Sequence, residues 1–131
     1  MKLKTLSLLL ALVVFAISCG NKIDEKSLAV DAEKIALLQC KARVLRNERF
    51  DSANNIRLRE EDLLKKRAKI TAEMIQHNDS VARDLTNRTA TLASTITQTL
   101  DSLWKNKYKK LEQRQQLDQA VEKIVSTQCG H

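Results

Sequence analysis

Apolar residues recur at intervals of three and four along most of this chain. Such spacing places them on one side of an α-helix. Charged runs such as Arg59-Glu60-Glu61-Asp62 fall between the apolar positions, as is typical of a solvated helix face. No proline or glycine lies between Ser27 and Cys129, so the commonest signals for turns and strand ends are missing there. The pattern predicts an all-α body built from long helices.

One segment leaves an alternative open. Residues 89–99, TATLASTITQT, are rich in threonine, whose branched side chain lowers helix propensity. The segment could therefore alternate as a strand. We predict helix, because Leu92, Ile96 and Leu100 continue the helical spacing into the residues that follow.

The first eighteen residues have a different pattern. Met1-Lys2-Leu3-Lys4 supplies positive charge, and an apolar run follows from Leu6 to Ile17, interrupted only by Ser7. A helix that spans a bilayer needs about 20 apolar residues. This run is shorter and is typical of a secretory signal peptide, so we predict that residues 1–18 are removed.

The apolar run ends in Ala16-Ile17-Ser18-Cys19. This ending resembles the lipobox of bacterial lipoproteins, with Ala16 in the place usually held by leucine. The resemblance implies that Cys19 is lipidated and becomes the new N-terminus. It implies an anchor in the bacterial cell envelope, at the outer membrane, where two or three acyl chains hold stably. The alternative is an ordinary signal peptide that is cut elsewhere, with Cys19 incidental.

Behind the anchor we expect a tether over residues 19–26 and a helical domain over residues 27–131. A single helix of that length would be about 150 Å long, with an apolar stripe facing water, so the chain should fold back. Cys40 and Cys129 supply a register, because disulfides persist in exported proteins. If they pair across an antiparallel helical hairpin or coiled coil, the turn falls near residues 84–89. Two free thiols, an intermolecular disulfide, or a further break near Asn47 or residues 54–55 remain alternatives.

The predicted seam of this hairpin is imperfect. Polar side chains occupy positions expected on it, at Arg49, Ser52, Arg59 and Lys66. Two helices alone cannot surround a core. We therefore expect the apolar surface of the domain to be covered by a second copy of the chain, as a homo-oligomer, or by an envelope protein or glycan.

The chain is basic. Removing Lys2 and Lys4 with the signal peptide lowers the formal net charge from +7 to +5. An exported protein meets little nucleic acid, so we predict no nucleic-acid partner. Anionic lipid headgroups, polysaccharides or acidic proteins are the expected counter-charges.

A basic aromatic stretch near residue 105 is a candidate contact patch. Trp104 and Tyr108 stand about one helical turn apart with lysines around them, an arrangement that can engage anionic lipid, glycan or an acidic partner. In the alternative interpretation Trp104 packs against Leu64 and the lysines are only solvated. The candidate residues are Trp104, Lys105, Lys107, Tyr108, Lys109 and Lys110.

A short Asp-Ser-apolar pattern occurs three times, at residues 51–53, 79–81 and 101–103. It resembles the O-glycosylation acceptor of envelope proteins in one Gram-negative group, which makes Ser52, Ser80 and Ser102 candidate acceptors. The alternative is that Asp and Ser simply recur on helix surfaces.

Residues suited to catalysis or metal binding are few. The histidines are His77 and His131, no glycine-rich loop exists for phosphate, and no Cys-x-x-Cys motif is present. Glu73 and His77 stand four residues apart, rather than the three of the Glu-x-x-His motif of di-iron bundles. A metal site formed by Cys40, Cys129 and His131 would compete with the disulfide. We predict no enzyme activity, no metal and no cofactor.

Together these features predict a membrane-anchored envelope lipoprotein that acts as a structural or protein-interaction module. A periplasmic holdase-like chaperone is the alternative function, because basic helical proteins of this size bind unfolded envelope proteins.

Overall fold

The computed structural model describes residues 23–129. They form three helices and no strand: α1 (Glu25–Lys65), α2 (Ala72–Asn106) and α3 (Leu111–Gln128). The all-α prediction is confirmed. The predicted signal peptide, the lipidation of Cys19 and the terminal His131 lie outside the described residues. None of the described helices is both long and apolar enough to cross a membrane.

Helix α1 begins earlier than expected. The carboxylate of Asp24 accepts a hydrogen bond from the backbone N–H of Ser27 at 3.0 Å, which makes Asp24 the N-cap. Glu25 then places a negative charge in the first turn, where it complements the helix dipole. Glu25 and Lys26 therefore belong to the helix and not to the tether, whose predicted end at residue 26 is wrong.

Helix α1 ends in a Schellman motif without glycine. The N–H of Ala68 donates to the carbonyl of Leu63 at 2.9 Å, and the N–H of Arg67 donates to that of Leu64 at 3.0 Å. This geometry places Arg67 in the left-handed region, at φ 54. Glycine is the residue that usually occupies this position, because it has no Cβ to clash.

Replacing Arg67 with glycine should stabilise the protein. Relief of the left-handed conformation is worth about 1 kcal/mol, and the Arg67 side chain is exposed. The measurement is the free energy of unfolding in urea. Lys66→Gly is the matched control, because Lys66 has an ordinary φ of −80 and glycine there relieves no strain but should destabilise by about 0.4–1 kcal/mol through the greater entropy of the unfolded chain. Equal effects of the two substitutions would contradict the assigned conformation.

The turn predicted near residues 84–89 is wrong. Those residues lie inside α2, and Leu85 among them is buried. Burying a leucine side chain is worth about 1.5–3 kcal/mol, which exceeds the helix cost of about 0.7 kcal/mol for a residue such as Asn87. The chain instead reverses at residues 66–71, where the Thr71 hydroxyl caps α2 by accepting from the Met74 N–H at 3.3 Å. Helix α1 also runs unbroken through residues 47 and 54–55.

The threonine-rich segment is helical, so the strand alternative is wrong. Three of its threonine hydroxyls donate to the carbonyl four residues back: Thr89 to Leu85 at 2.7 Å, Thr95 to Thr91 at 2.9 Å, and Thr99 to Thr95 at 2.8 Å. These bonds satisfy the hydroxyls within the helix.

The three helices run up, down and up. Arg88 pairs with Glu48 at 3.0 Å and Asn78 lies 3.5 Å from Glu60, so α2 returns antiparallel along α1. The predicted antiparallel helical hairpin therefore exists, between α1 and α2. Helix α3 runs back parallel to α1, because it follows the turn that contacts Asp31 and ends beside Cys40. The first half of α1 is thus part of a three-helix bundle, whereas its second half is covered by α2 alone.

The core lies in the three-helix half. Ala32 and Ala36 are completely buried, and such small side chains allow two helices to approach closely. The buried cluster consists of Ala32, Ile35, Ala36, Tyr108, Leu117, Val121 and Val125.

The predicted pairing of Cys40 with Cys129 is confirmed. Their Cα atoms lie 5.4 Å apart, within the usual disulfide range. The arrangement assumed for the pairing is wrong, because the cysteines meet across two parallel helices, α1 and α3. Leu64 is accordingly 65% exposed instead of packing on Trp104.

Candidate contact surfaces

The turn between α2 and α3, residues 107–110, lies beside the start of α1. The ammonium group of Lys107 pairs with the carboxylate of Asp31 and contacts the hydroxyl of Ser27. Ser27 and Asp31 belong to the first two turns of α1. The turn and the beginning of the helical domain are therefore at the same end of the molecule.

Two aromatic side chains, the buried Tyr108 and the half-buried Trp104, fix this turn in place. Tyr108 is completely buried, and its hydroxyl donates to the carboxylate of Asp31 at 2.8 Å. The Arg114 Nε donates to the backbone carbonyl of Tyr108 at 2.9 Å. The guanidinium of Arg114 also lies 5.4 Å from the centre of the Trp104 ring, within the range of a cation–π contact.

The inclusion of Tyr108 in the predicted contact patch is therefore wrong, whereas a contact at Trp104 stays a prediction. Tyr108 belongs to the core, and Trp104 is half-buried against that core. Their place in the bundle explains the difference, because the α2–α3 turn closes one end of the core. The four lysines of the patch, Lys105, Lys107, Lys109 and Lys110, remain exposed.

Tyr108 makes stability depend on pH in the alkaline range. Burial, assisted by the Asp31 carboxylate, raises the pKa of the Tyr108 hydroxyl above its ordinary value of about 10. The folded protein thus holds this proton more tightly than the unfolded chain. We expect the contribution of Tyr108 to be complete below pH of about 10 and to be lost as the pH rises towards the folded-state pKa.

The variant Tyr108→Phe tests this dependence. It keeps the buried ring and has no proton to lose, so its free energy of unfolding should fall less steeply above pH of about 10 than that of the wild type. Urea unfolding across the neutral and alkaline range measures both curves. Parallel curves would contradict a titrating Tyr108.

The turn between α1 and α2 forms the opposite end of the molecule. Helix α1 has 41 residues, so the two ends are about 60 Å apart. This second turn also carries exposed basic side chains, at Lys65, Lys66, Arg67 and Lys69. Lys66 pairs with Asp62 at 2.7 Å. Both ends of the molecule are therefore basic.

An exposed apolar stripe runs along α1. Val30, Leu37, Val44 and Leu58 are spaced by multiples of seven residues, so they share one side of the helix. Their exposures are 61%, 56%, 58% and 48%. We call these four residues the outer stripe. Sequence analysis missed it, although the seven-residue spacing is readable from the sequence.

The second half of the hairpin has further apolar surface that α3 does not reach. Phe50 is 72% exposed there. A cavity of about 410 Å³ lies between α1 and α2 next to the disulfide. It is lined by Cys40, Lys41, Val44, Leu45, Glu48, Arg88 and Leu92. Because Val44 also belongs to the outer stripe, the cavity and the stripe adjoin.

The candidate glycosylation sites lie within helices. Ser80 and Ser102 are exposed on α2, whereas Ser52 is half-buried on α1. Glycosylation at these residues stays a prediction.

Residues with catalytic or metal-binding chemistry are not brought together in the part of the chain that the structure describes. Across residues 23–129, no group of three or more His, Cys, Asp and Glu side chains could hold a metal ion. His77 is exposed on α2. The absence of enzyme activity stays a prediction.

Comparisons with models of protein families, with curated proteins and with solved structures find no match. Function is therefore inferred from the residues and their geometry.

Proposed function

We propose that this chain is a lipid-anchored lipoprotein of the bacterial envelope whose helical rod presents a contact surface to a partner protein. The observation that carries the proposal is the small-residue ending Ser18-Cys19 after a short apolar run. Helix α1 begins at Glu25, only six residues after the candidate lipidated cysteine. Six residues span about 20 Å at most, so the rod would start close to the bilayer.

Exposed apolar side chains support a protein partner rather than a glycan. The outer stripe runs along the helix for about 40 Å, since 28 residues separate Val30 from Leu58. Asp51 interrupts the stripe at the seven-residue position between Val44 and Leu58, and the seven-residue spacing of Val30, Leu37 and Val44 suits an apolar helical partner. The cavity beside the stripe provides space for a side chain of that partner.

The anchor is tested by mass spectrometry of the protein isolated from its native host. We expect an N-terminus at Cys19 and a mass increased by acyl chains. The variant Cys19→Ala should leave the membrane fraction or keep its signal peptide, whereas Cys40→Ala should remain membrane-bound. An unmodified Cys19 thiol would contradict the anchor.

The partner is tested with a photo-crosslinking amino acid placed in intact cells at Val44 or Leu58. We expect one crosslinked protein at both positions. Thr97, which is exposed on α2, is the control position and should give no such product. Crosslinking that is equal at all three positions would contradict a specific surface on α1.

A holdase-like chaperone is the second candidate. It is favoured by the exposed Phe50 and Leu64 on the half of the hairpin that α3 leaves uncovered. Such surface can bind unfolded chains without a fixed partner. The purified protein would then suppress the aggregation of a denatured client, and Phe50→Ser would reduce this effect. Crosslinks to many different proteins would favour this function, whereas one stoichiometric partner would favour the first.

A further inference from the structure

We propose that the turn between α2 and α3 docks on the anionic headgroups of the bilayer that holds the lipid anchor. The docking surface, here called the lysine turn, consists of Lys105, Lys109, Lys110 and Leu111. The inference rests on the proposed function, because it takes Cys19 to be the anchored residue. It adds a second membrane contact, which would set the orientation of the helical rod relative to the bilayer.

Geometry places the lysine turn near the bilayer. Lys107 and Tyr108 both contact Asp31, in the second turn of α1. Since α1 starts six residues after Cys19, these contacts hold the turn at the anchored end. The other basic turn, at residues 65–69, is about 60 Å away at the far end.

The chemistry of the lysine turn fits a lipid headgroup layer. Residues 105–112 contain four lysines and one acidic residue, Glu112. Lys107 is paired with Asp31, and the remaining three lysines are exposed and make no ion pair among the described residues. Each lysine near an anionic surface gains about fivefold in binding, so three gain on the order of a hundredfold.

An exposed leucine favours lipid over an acidic protein. Leu111 is 66% exposed and directly follows Lys109 and Lys110. Lysine side chains lay their methylene stems along apolar surroundings while the ammonium groups stay with headgroup phosphates. An apolar side chain beside them can enter the boundary between headgroups and acyl chains.

The lysine turn is already ordered before it meets a membrane. Tyr108 is buried, and Arg114 holds its carbonyl while contacting the Trp104 ring. Docking therefore requires little ordering of the backbone, and such ordering is a common cost of binding.

The experiment uses the mature lipoprotein, purified from membranes and reconstituted into vesicles of phosphatidylcholine alone or mixed with phosphatidylglycerol. Lysines are acylated with a water-soluble reagent and quantified by mass spectrometry. We expect modification of Lys105, Lys109 and Lys110 to fall several-fold in the anionic vesicles and to recover near molar salt, which screens exposed charges. Lys65, Lys66 and Lys69 are internal controls and should react equally in both vesicles.

A charge-reversal pair separates docking from a general effect of charge. The double variant Lys109→Glu/Lys110→Glu should lose the protection of Lys105, whereas Lys65→Glu/Lys69→Glu should keep it. Both are checked for unchanged helical circular dichroism. Equal modification of the lysine turn in the two vesicles overturns the proposal. So does protection that appears only after an acidic protein fraction is added, since that assigns the surface to a protein.

The same sample reports on the proposed function separately. Its mass shows whether Cys19 carries acyl chains. An acylated protein with an unprotected lysine turn overturns the docking contact alone, whereas an unacylated protein overturns the anchor.

Discussion

Breaking the link between Cys40 and Cys129 is expected to lower the melting temperature of this protein by about 15 °C. The linked residues are 89 positions apart, and closing a loop of that length is worth about 4–5 kcal/mol on the chain-entropy model. The link also fastens the end of α3 to α1, so its loss should loosen the whole three-helix half. Thermal unfolding followed by circular dichroism with and without reductant measures the effect.

The cysteine variants provide the control for this prediction. Cys40→Ser and Cys129→Ser should melt at the same lower temperature, and reductant should not shift either of them. The reduced wild type should melt close to both. A wild type whose melting temperature is unchanged by reductant would show that the link does not stabilise the fold.

Leu117→Ala is expected to cost about 2–5 kcal/mol of unfolding free energy. Leu117 is completely buried between α3 and α1, in the cluster that contains Ile35 and Tyr108. Removing its side chain leaves a cavity that close-packed neighbours fill only partly. The measurement is urea unfolding, with the fluorescence of Trp104 reporting on the same core.

The matched control lies in the same helix. Leu111→Ala makes the identical chemical change at a side chain that is 66% exposed, and it should alter the unfolding free energy by less than about 0.5 kcal/mol. Similar losses in the two variants would contradict the placement of α3 in the bundle.

The helical class of the fold could be predicted from sequence, because apolar spacing and the lack of proline and glycine are local properties of the chain. The cysteine pairing was also predicted correctly, although from a wrong topology. In the structure, two reversals of the chain bring Cys129 back beside Cys40. A single reversal near residue 85, as predicted, would also have brought the two cysteines together. The pairing alone could not distinguish these two topologies.

The position of the first turn could not be predicted, because its signals are weak. Arg67 stands where glycine usually marks the end of a helix, and the Thr71 cap resembles many other threonines in the chain. The intrinsic propensities of residues such as Leu85 and Asn87 did not exclude a turn there. Burial of Leu85 against α1 favours the helix. Because burial depends on the whole fold, it could not be predicted from local sequence.

The candidate surfaces differ in how far they could be predicted. The lysines of residues 105–110 were identified correctly as exposed, since lysine is almost never buried unpaired. The burial of Tyr108 was missed, because it depends on packing against residues of α1 that are distant in sequence, such as Ile35. The outer stripe was within reach of sequence analysis, since its seven-residue spacing needs no knowledge of the fold.

The short third helix has a mechanical consequence. Helix α3 has 18 residues and α1 has 41, so lateral support ends less than halfway along the rod. Segments with fewer packed neighbours open more easily, and the half of the hairpin beyond α3 has fewer packed neighbours than the three-helix half. We therefore expect the second half of the hairpin to adapt its conformation to a bound partner, while the disulfide-linked three-helix half stays rigid.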